Sequence, residues 1–423
     1  MSVIGFVVFL VLLLTALGGI NLHVFRWARN AFGLGRAGQV ILKSVLWAAV
    51  AGMILGRVAG RFWPGAPSTP LIAVASTVEL AVIISFAFLL VADVGLLLLD
   101  LPARVRRLRT RDAAPVTSPA APAAELATAS APALTVPRRA FMMQAAAGSA
   151  FLIGGTSSLY GALKGRSDYV IEEIALKLPG LGRGFDGFSI VQLSDIHIGA
   201  FTGQAELNIA EELVRKARPD LVVLTGDLLD NDSRLAPDLG RFVRRLGPLA
   251  RHGVVAITGN HDYFAGDEEM AGAITGGGGR ILRNEGLVIG SAGAGIALLG
   301  VDDVWARRQG LGGPDLLRAV AALPQIEGRV APARDLPRVL LCHNPSYFAE
   351  SAGKVALQLS GHTHGGQINL GLRPADYLLP GGWVAGRYDQ NGSVLYVNRG
   401  FGTVGPPARL QAPPEVTRIV LSA

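Results

Sequence analysis

Seven histidines serve a chain of 423 residues, and five of them, His197, His261, His343, His362 and His364, stand in short polar stretches directly after apolar runs. Random placement would not put them there. The densest stretch is Ser360-Gly361-His362-Thr363-His364-Gly365-Gly366-Gln367. In an extended backbone, residues i and i+2 point the same way, so its two imidazoles could serve one centre or two adjacent ones. Taken alone, such a pair is as readily a polar surface turn. Further donors decide the matter: Asp195 and His197, Asp227 in Thr225-Gly226-Asp227-Leu228-Leu229-Asp230, Asn260 in Thr258-Gly259-Asn260-His261-Asp262, and His343 before Asn344-Pro345. With His362 and His364 these make seven oxygen or imidazole donors and no thiolate. That set suits a pair of Mn, Fe or Zn ions better than a structural zinc, which favours cysteine. A carboxylate such as Asp227 can bridge two ions. Two bridged metals can share a hydroxide and clamp the oxygens of an in-line displacement at phosphorus.

The elements that must carry these donors can be read from the apolar pattern. Phe188 to Leu193 alternates like a strand and delivers Asp195 and His197; Leu221 to Leu224 delivers Asp227; Gly253 to Ile257 delivers Asn260. Between them, Ala205 to Ala217 repeats its apolar residues at helical spacing and a second helix is expected over about 236 to 250. Strand, helix, strand, helix, strand predicts an α/β sheet with its ligands on the carboxyl edge, where such folds build sites. Ile281 to Ile289, Ile296 to Val301, Val339 to Cys342 and Val355 to Leu359 read as further strands, the last two delivering His343 and the opening stretch. Val394 to Val397 and Val416 to Leu421 read as two more, expected to complete a second sheet. The four-glycine run Gly276 to Gly279 lacks a following Lys-Ser/Thr and reads as a loop, and Asp302 and Asp303 read as turn formers.

Ahead of this region the composition is different. The chain is 50% apolar with a mean hydropathy of +0.40, and its net charge of +7 is unevenly placed. Residues 1 to 167 hold 15 Lys and Arg against 5 Asp and Glu; the remainder holds 24 against 27. The basic balance therefore belongs to membrane-flanking arginines, and no nucleic-acid footprint is expected. Val3 to Leu22, Ile41 to Ala59 and Leu71 to Leu101 are each long enough to cross a hydrocarbon core, which needs about 20 residues. The third carries Glu79 and Asp93. Acids at membrane depth are costly and often functional, although pairing inside a helical bundle accounts for them equally. Residues 102 to 137 follow, with an arginine cluster and an Ala/Pro-rich stretch of linker composition. Arg138-Arg139-Ala140-Phe141-Met142-Met143 then opens an apolar segment ending near Leu163, either a fourth membrane helix or a twin-arginine-like signal. The positive residues of 23 to 43 and 102 to 139 predict those segments inside. A multi-pass cell-membrane protein results, with residues 166 to 423 as an extracytoplasmic domain. The single cysteine, Cys342, excludes an intrachain disulfide.

The ordered blocks Asp-x-His, Gly-Asp-x-x-Asp, Gly-Asn-His-Asp, His and Gly-His-x-His, spread over residues 188 to 364, resemble those of calcineurin-like metallophosphoesterases. The Gly-Gly-Gln after the last block, and the tail Leu395-Tyr396-Val397-Asn398-Arg399-Gly400 with Pro414-Glu415-Val416, are similar to the membrane-associated bacterial branch. The resemblance implies a two-sheet β-sandwich flanked by helices, following the N-terminal transmembrane region. It implies one metal on Asp195, His197, Asp227 and His364 and a second on Asp227, Asn260, His343 and His362. It also implies that His261 lies beside the phosphate as the catalytic residue, with Asp262 orienting it and Asp230 structural. The expected activity is hydrolysis of a phosphodiester or pyrophosphate by a metal-bridging hydroxide, with a phosphorylated small molecule or a lipid as substrate and the membrane as partner. A non-catalytic metal-binding sensor or scaffold, a transporter built on Glu79 and Asp93, and a nuclease or nucleotide phosphodiesterase are the alternatives.

Overall fold

The computed structural model describes residues 3–62, 68–111, 137–291, 294–323 and 335–423. It divides into two compact units, Met1–Gly52 with Val78–Leu159 and Met53–Thr77 with Tyr160–Ala423. Four long helices occupy the N-terminal part: α1 (Val3–Phe32), α2 (Arg36–Phe62), α3 (Ser68–Arg111) and α4 (Arg138–Leu163). Leu10–Phe32, Arg36–Ala59 and Thr69–Pro102 are long and apolar enough to cross a membrane. Helix α3 runs through Pro102 to Arg111, into the segment expected as linker; the rest of the Ala/Pro-rich stretch lies outside the described residues.

Within the first unit, Phe25, Trp27, Leu46, Val82, Leu89 and Ala147 pack into one apolar cluster. Glu79 and Asp93 of α3 have partners there. Glu79 accepts from Asn21 Nδ2 at 2.8 Å, and Asp93 accepts from Trp27 Nε1 at 3.0 Å with His23 Nε2 3.1 Å away. Pairing lowers the cost of placing these groups there, which is the bundle-internal reading of their sequence.

In the second unit, side-chain alternation along the strands sorts the apolar residues into layers. One six-stranded sheet has the order β1 (Val170–Lys177), β12 (Glu415–Ser422), β2 (Ser189–Leu193), β3 (Leu221–Thr225), β4 (Val254–Ile257), β5 (Arg280–Ile281). The other runs β10 (Gly386–Gln390), β11 (Ser393–Val397), β9 (Leu357–Ser360), β8 (Arg338–Leu341), β7 (Ala294–Gly300), β6 (Glu285–Ser291). Val191, Leu193, Val222 and Leu224 face helices α5 (Gln204–Ala217) and α6 (Ala236–Leu246). Their neighbours Ile190, Leu221, Val223 and Ile257 face Leu298, Val339, Leu341 and Leu359 of the second sheet. On that sheet's far side, Ala297, Leu299 and Leu340 form a third cluster with Leu316 and Ala319. Helix, sheet, sheet, helix is the layering that results. Parallel strands covered on both faces read as continuous apolar runs, which is why β3, β4 and β8 were visible in sequence, whereas β2, with Ser189 and Gln192, was visible by its alternation.

Two expectations are corrected. The run 281–289 is two strands in different sheets: β5 ends at Ile281, the chain turns through Asn284 at φ 55°, and β6 begins at Glu285. The tail likewise divides. Only β11 joins the second sheet, whereas β12 inserts between β1 and β2 of the first. Edge strands β1 and β10 had no sequence signal, because Glu172, Glu173, Arg387 and Asp389 interrupt their apolar pattern.

Candidate metal centre

The carboxyl ends of β2, β3 and β4 in one sheet and of β8 and β9 in the other supply all seven expected donors. Gln192 joins the two sheets at this edge, donating from Nε2 to the Ser360 carbonyl and to Thr225 Oγ1 at 2.9 Å each. Main-chain bonds lock the loops together: Asp195 N–H to Gly226 O, His197 N–H to Asp227 O and Gly361 N–H to His343 O, each at 3.0 Å.

Donor atoms of Asp195, His197 and His364 lie within 4.8 Å of one another, and so do those of Asp227, His343 and His362. In the first group, the Nε2 atoms of His197 and His364 are 3.1 Å apart and His364 Nε2 is 3.4 Å from Asp195 Oδ1. Asp227 connects the groups. Its Oδ2 lies 3.3 Å from His343 Nε2 and 3.7 Å from His197 Nε2, while its Oδ1 accepts the His261 N–H at 2.8 Å. One oxygen thus faces both groups and the other fixes the carboxylate's orientation.

The polar accounting fits a cation. His343 Nδ1 donates to the Thr225 carbonyl at 2.8 Å, which leaves Nε2, turned toward Asp227, to take a metal once its proton is displaced. Among the described residues that Nε2 and Asn260 Oδ1 are buried with no hydrogen-bond partner. Buried polar atoms without hydrogen bonds are costly and rare, and a metal ion would engage both. Burial works against charge on Asp227 and His343, yet the imidazole holds the carboxyl far below its usual range and the carboxylate lifts His343 in return. Burial, with His197 and Arg409 beside it, pushes His364 well down, leaving the neutral ligand form.

Five of the seven donors, Asp195, His197, Asp227, His362 and His364, have φ between 50° and 73°. Non-glycine residues rarely adopt that region, at a cost of roughly 1–3 kcal/mol each where strained, and such strain clusters at functional sites. The neighbouring glycines permit it. A Cβ on Gly361 would collide with Ser194 Oγ and Asp195 Oδ2.

Around His261 the expected roles exchange. Asp230, expected as structural, meets the imidazole: His261 Nδ1 donates to its carbonyl at 2.8 Å and lies 3.4 Å from its Oδ1. Burial opposes protonation, but the Asp230 bond and the Asp227 charge override it and raise the His261 pKa to about 9. Asp230 Oδ1 also faces His197 Nδ1 at 3.7 Å. Asp262, expected to orient His261, instead accepts the N–H groups of Asp227, Leu228, Leu229 and Gly259 at 2.8–3.1 Å. It shapes the Asp227 loop. Asp303 caps the helix Val304–Arg308 by accepting the Trp305 N–H at 2.7 Å, a local role like the one its sequence suggested.

One supporting residue was missed. Arg409, buried, donates to the carbonyls of Arg399, Gly400, Gly402 and Ala412 and places Nη2 3.2 Å from His364 Nδ1. Its surroundings Pro406-Pro407-Ala408 and Ala412-Pro413 carry no pattern that marks it. A cavity of about 300 Å³ opens beside Asn260 and His362, walled by Trp305, Trp383, Leu379 and Pro380, with Arg308 in its lining.

A family model for calcineurin-like phosphoesterases matches residues 188–366. The "Uncharacterized metallophosphoesterase YkuE" of Bacillus subtilis is 33% identical over 295 residues, covering 67% of this chain and 95% of that protein. A Bos taurus "Transmembrane protein with metallophosphoesterase domain" is 32% identical over 288 residues, 65% of this chain and 62% of its own length. The "Uncharacterized metallophosphoesterase Cj0846" of Campylobacter jejuni is 32% identical over 276 residues, 63% of this chain and 66% of its own. The chain spans less than two thirds of the latter two.

Proposed function

The chain belongs to the calcineurin-like phosphoesterases, and on that premise we propose that it is a membrane-anchored, two-metal enzyme hydrolysing a phosphodiester or pyrophosphate bond. The observation that carries this reading is Asp227 Oδ2, set between His343 Nε2 at 3.3 Å and His197 Nε2 at 3.7 Å. Asp195, His197, Asp227 and His364 would hold one ion, and Asp227, Asn260, His343 and His362 the other. Mn, Fe and Zn all accept these donors. Once bound, the pair supplies Lewis acidity that lowers the pKa of a water and neutralises charge developing at phosphorus. His261 acts on the other side of the reaction. With Nδ1 committed to Asp230, its Nε2 remains to protonate the leaving oxygen or steady the transition-state charge.

Three helices of membrane-crossing length and the transmembrane relative support attachment to a bilayer. We place four crossings in the chain, α4 being the fourth, and the metal domain on the extracytoplasmic side, on the arginine distribution of residues 23 to 43 and 102 to 139. A reporter fused to the C-terminus tests that side. The activity test uses the full chain in detergent with Mn²⁺ and bis(p-nitrophenyl) phosphate. Turnover that disappears in Asp227→Ala is expected; a folded chain inactive with every divalent metal overturns the proposal.

A further inference from the structure

Ten large hydrophobic side chains after residue 165 are exposed among the described residues, and five of them, Leu370, Leu372, Tyr377, Leu378 and Leu379, fall between residues 370 and 379. Tyr377 is 84% exposed, Leu378 79% and Leu372 72%. A soluble surface seldom concentrates such residues unless it meets a partner. The strip is tied down at its N-terminal end. Asn369 N–H donates to Leu410 O at 3.0 Å, Leu410 N–H to Gln367 O at 2.8 Å and Gly371 N–H to Gln411 Oε1 at 2.9 Å.

What the strip is tied to indicates its partner. The segment 404–411 that anchors it is bonded in turn to the C-terminal pieces of α2 and α4, which belong to the same compact unit. Arg57, near the end of α2, donates to Gly405 O at 2.9 Å, and Arg409 N–H donates to Gly161 O in the last turn of α4 at 3.1 Å. The candidate span of α2 ends at Ala59, so on the membrane-anchored reading segment 404–411 lies where chain leaves lipid. An apolar strip carrying an aromatic and fastened to that level is placed as interfacial membrane anchors are. Its last residues, Leu379 and Pro380, are also walls of the cavity beside Asn260 and His362.

We propose that residues 370–380 form a foot that rests in the bilayer surface, so that the cavity receives the phosphorus of a lipid phosphoester still seated in the membrane. The contact itself stands on geometry alone; the substrate class rests on the phosphoesterase reading. Trp305 and Trp383 would flank the bound headgroup, and Arg308, whose guanidinium stands 5.4 Å from the centre of the Trp305 ring in the cavity lining, would meet its anionic charge.

Two measurements on the full chain in phosphatidylcholine–phosphatidylglycerol vesicles test it. Tyr377→Cys is labelled with an environment-sensitive fluorophore, the native Cys342 being buried. Blue-shifted emission, quenched by nitroxide-bearing lipids and shielded from iodide, is expected; water-like emission quenched by iodide overturns the foot whatever the activity. The second compares hexadecyl p-nitrophenyl phosphate in the vesicles with methyl p-nitrophenyl phosphate in solution. Combined Leu372→Glu, Tyr377→Glu and Leu378→Glu should lower the first rate about tenfold or more by removing apolar contact with lipid, and leave the second within about twofold. Equal effects on both esters, or none, overturn the substrate class. Absence of turnover with either ester in the unaltered chain removes the phosphoesterase reading while leaving the fluorescence result intact.

Discussion

Nη2 of Arg409, a residue only 1% exposed, lies 3.2 Å from Nδ1 of His364. The same guanidinium gathers the carbonyls of Arg399, Gly400, Gly402 and Ala412 and, at 3.4 Å, that of His364 itself, so it holds the main chain on which that ligand stands. Groups that orient a ligand from behind typically cost 10–100-fold in metal affinity when removed. Arg409→Ala should therefore weaken one metal by about that factor, and Arg409→Lys should rescue it poorly because an ammonium cannot reproduce the planar fork. Metal affinity by chelator competition, beside thermal melting, checks this. Two variants with unchanged affinity would remove Arg409 from the site.

Asp227→Asn tests the bridge separately from the fold. The amide is nearly isosteric and its oxygen can still accept the His261 N–H, but it cannot supply anionic charge to His343 and His197 at once. Loss of activity by about a thousandfold or more, with both ions depleted in metal analysis, is expected. Retention of two ions at full activity would show that some other group bridges.

Gly361→Ala probes the backbone. The added Cβ collides with Ser194 Oγ and Asp195 Oδ2, and overpacking of this kind costs roughly 1–3 kcal/mol. Displacement of Asp195 should also reduce metal occupancy. Gly253→Ala is the control: its φ of 69° is strained by any side chain, yet a Cβ there meets nothing within 4 Å. It should lower stability while sparing metal binding.

The parts of this molecule that sequence revealed share one cause. β2, β3, β4, β8 and β9 are buried on both faces and end in donors, so apolar runs followed by Asp195, Asp227, Asn260, His343 and His362 stood out. Edge strands β1 and β10 were lost because one side of each faces solvent and admits charge. Strand destination was not legible either: nothing in Val416 to Leu421 tells which sheet it will enter, because pairing partners are chosen by packing over long sequence separation. Asp230 and Asp262 were exchanged in role for a related reason. Both are acids a few residues beyond a buried strand, and only the fold reveals that Asp262, in the first turn of the helix Asn260–Ala265, meets four backbone N–H groups while Asp230 meets His261.

The pH response of the metal-free chain follows from the last of these contacts. Burial disfavours the His261 imidazolium, but the Asp230 bond and the Asp227 charge prevail and raise its pKa from 6.5 to about 9. A raised histidine contributes stability that is full below the unfolded value and lost as pH climbs through the folded one. The window is therefore from about 6.5 to about 9, with stability falling across it. Asp230→Asn removes the carboxylate while leaving the Asp230 main-chain oxygen as acceptor, so the His261 midpoint should move down and the decline in melting temperature across that window should flatten. Selective ¹³C labelling of the imidazoles gives the midpoint directly, and melts of the chelated protein between pH 6 and 10 give the stability limb. An unchanged midpoint in Asp230→Asn would assign the shift to Asp227 instead. A midpoint near 6.5 in the unaltered chain would deny that His261 stands charged before metal binds, and with it the imidazolium as the form that meets the leaving oxygen.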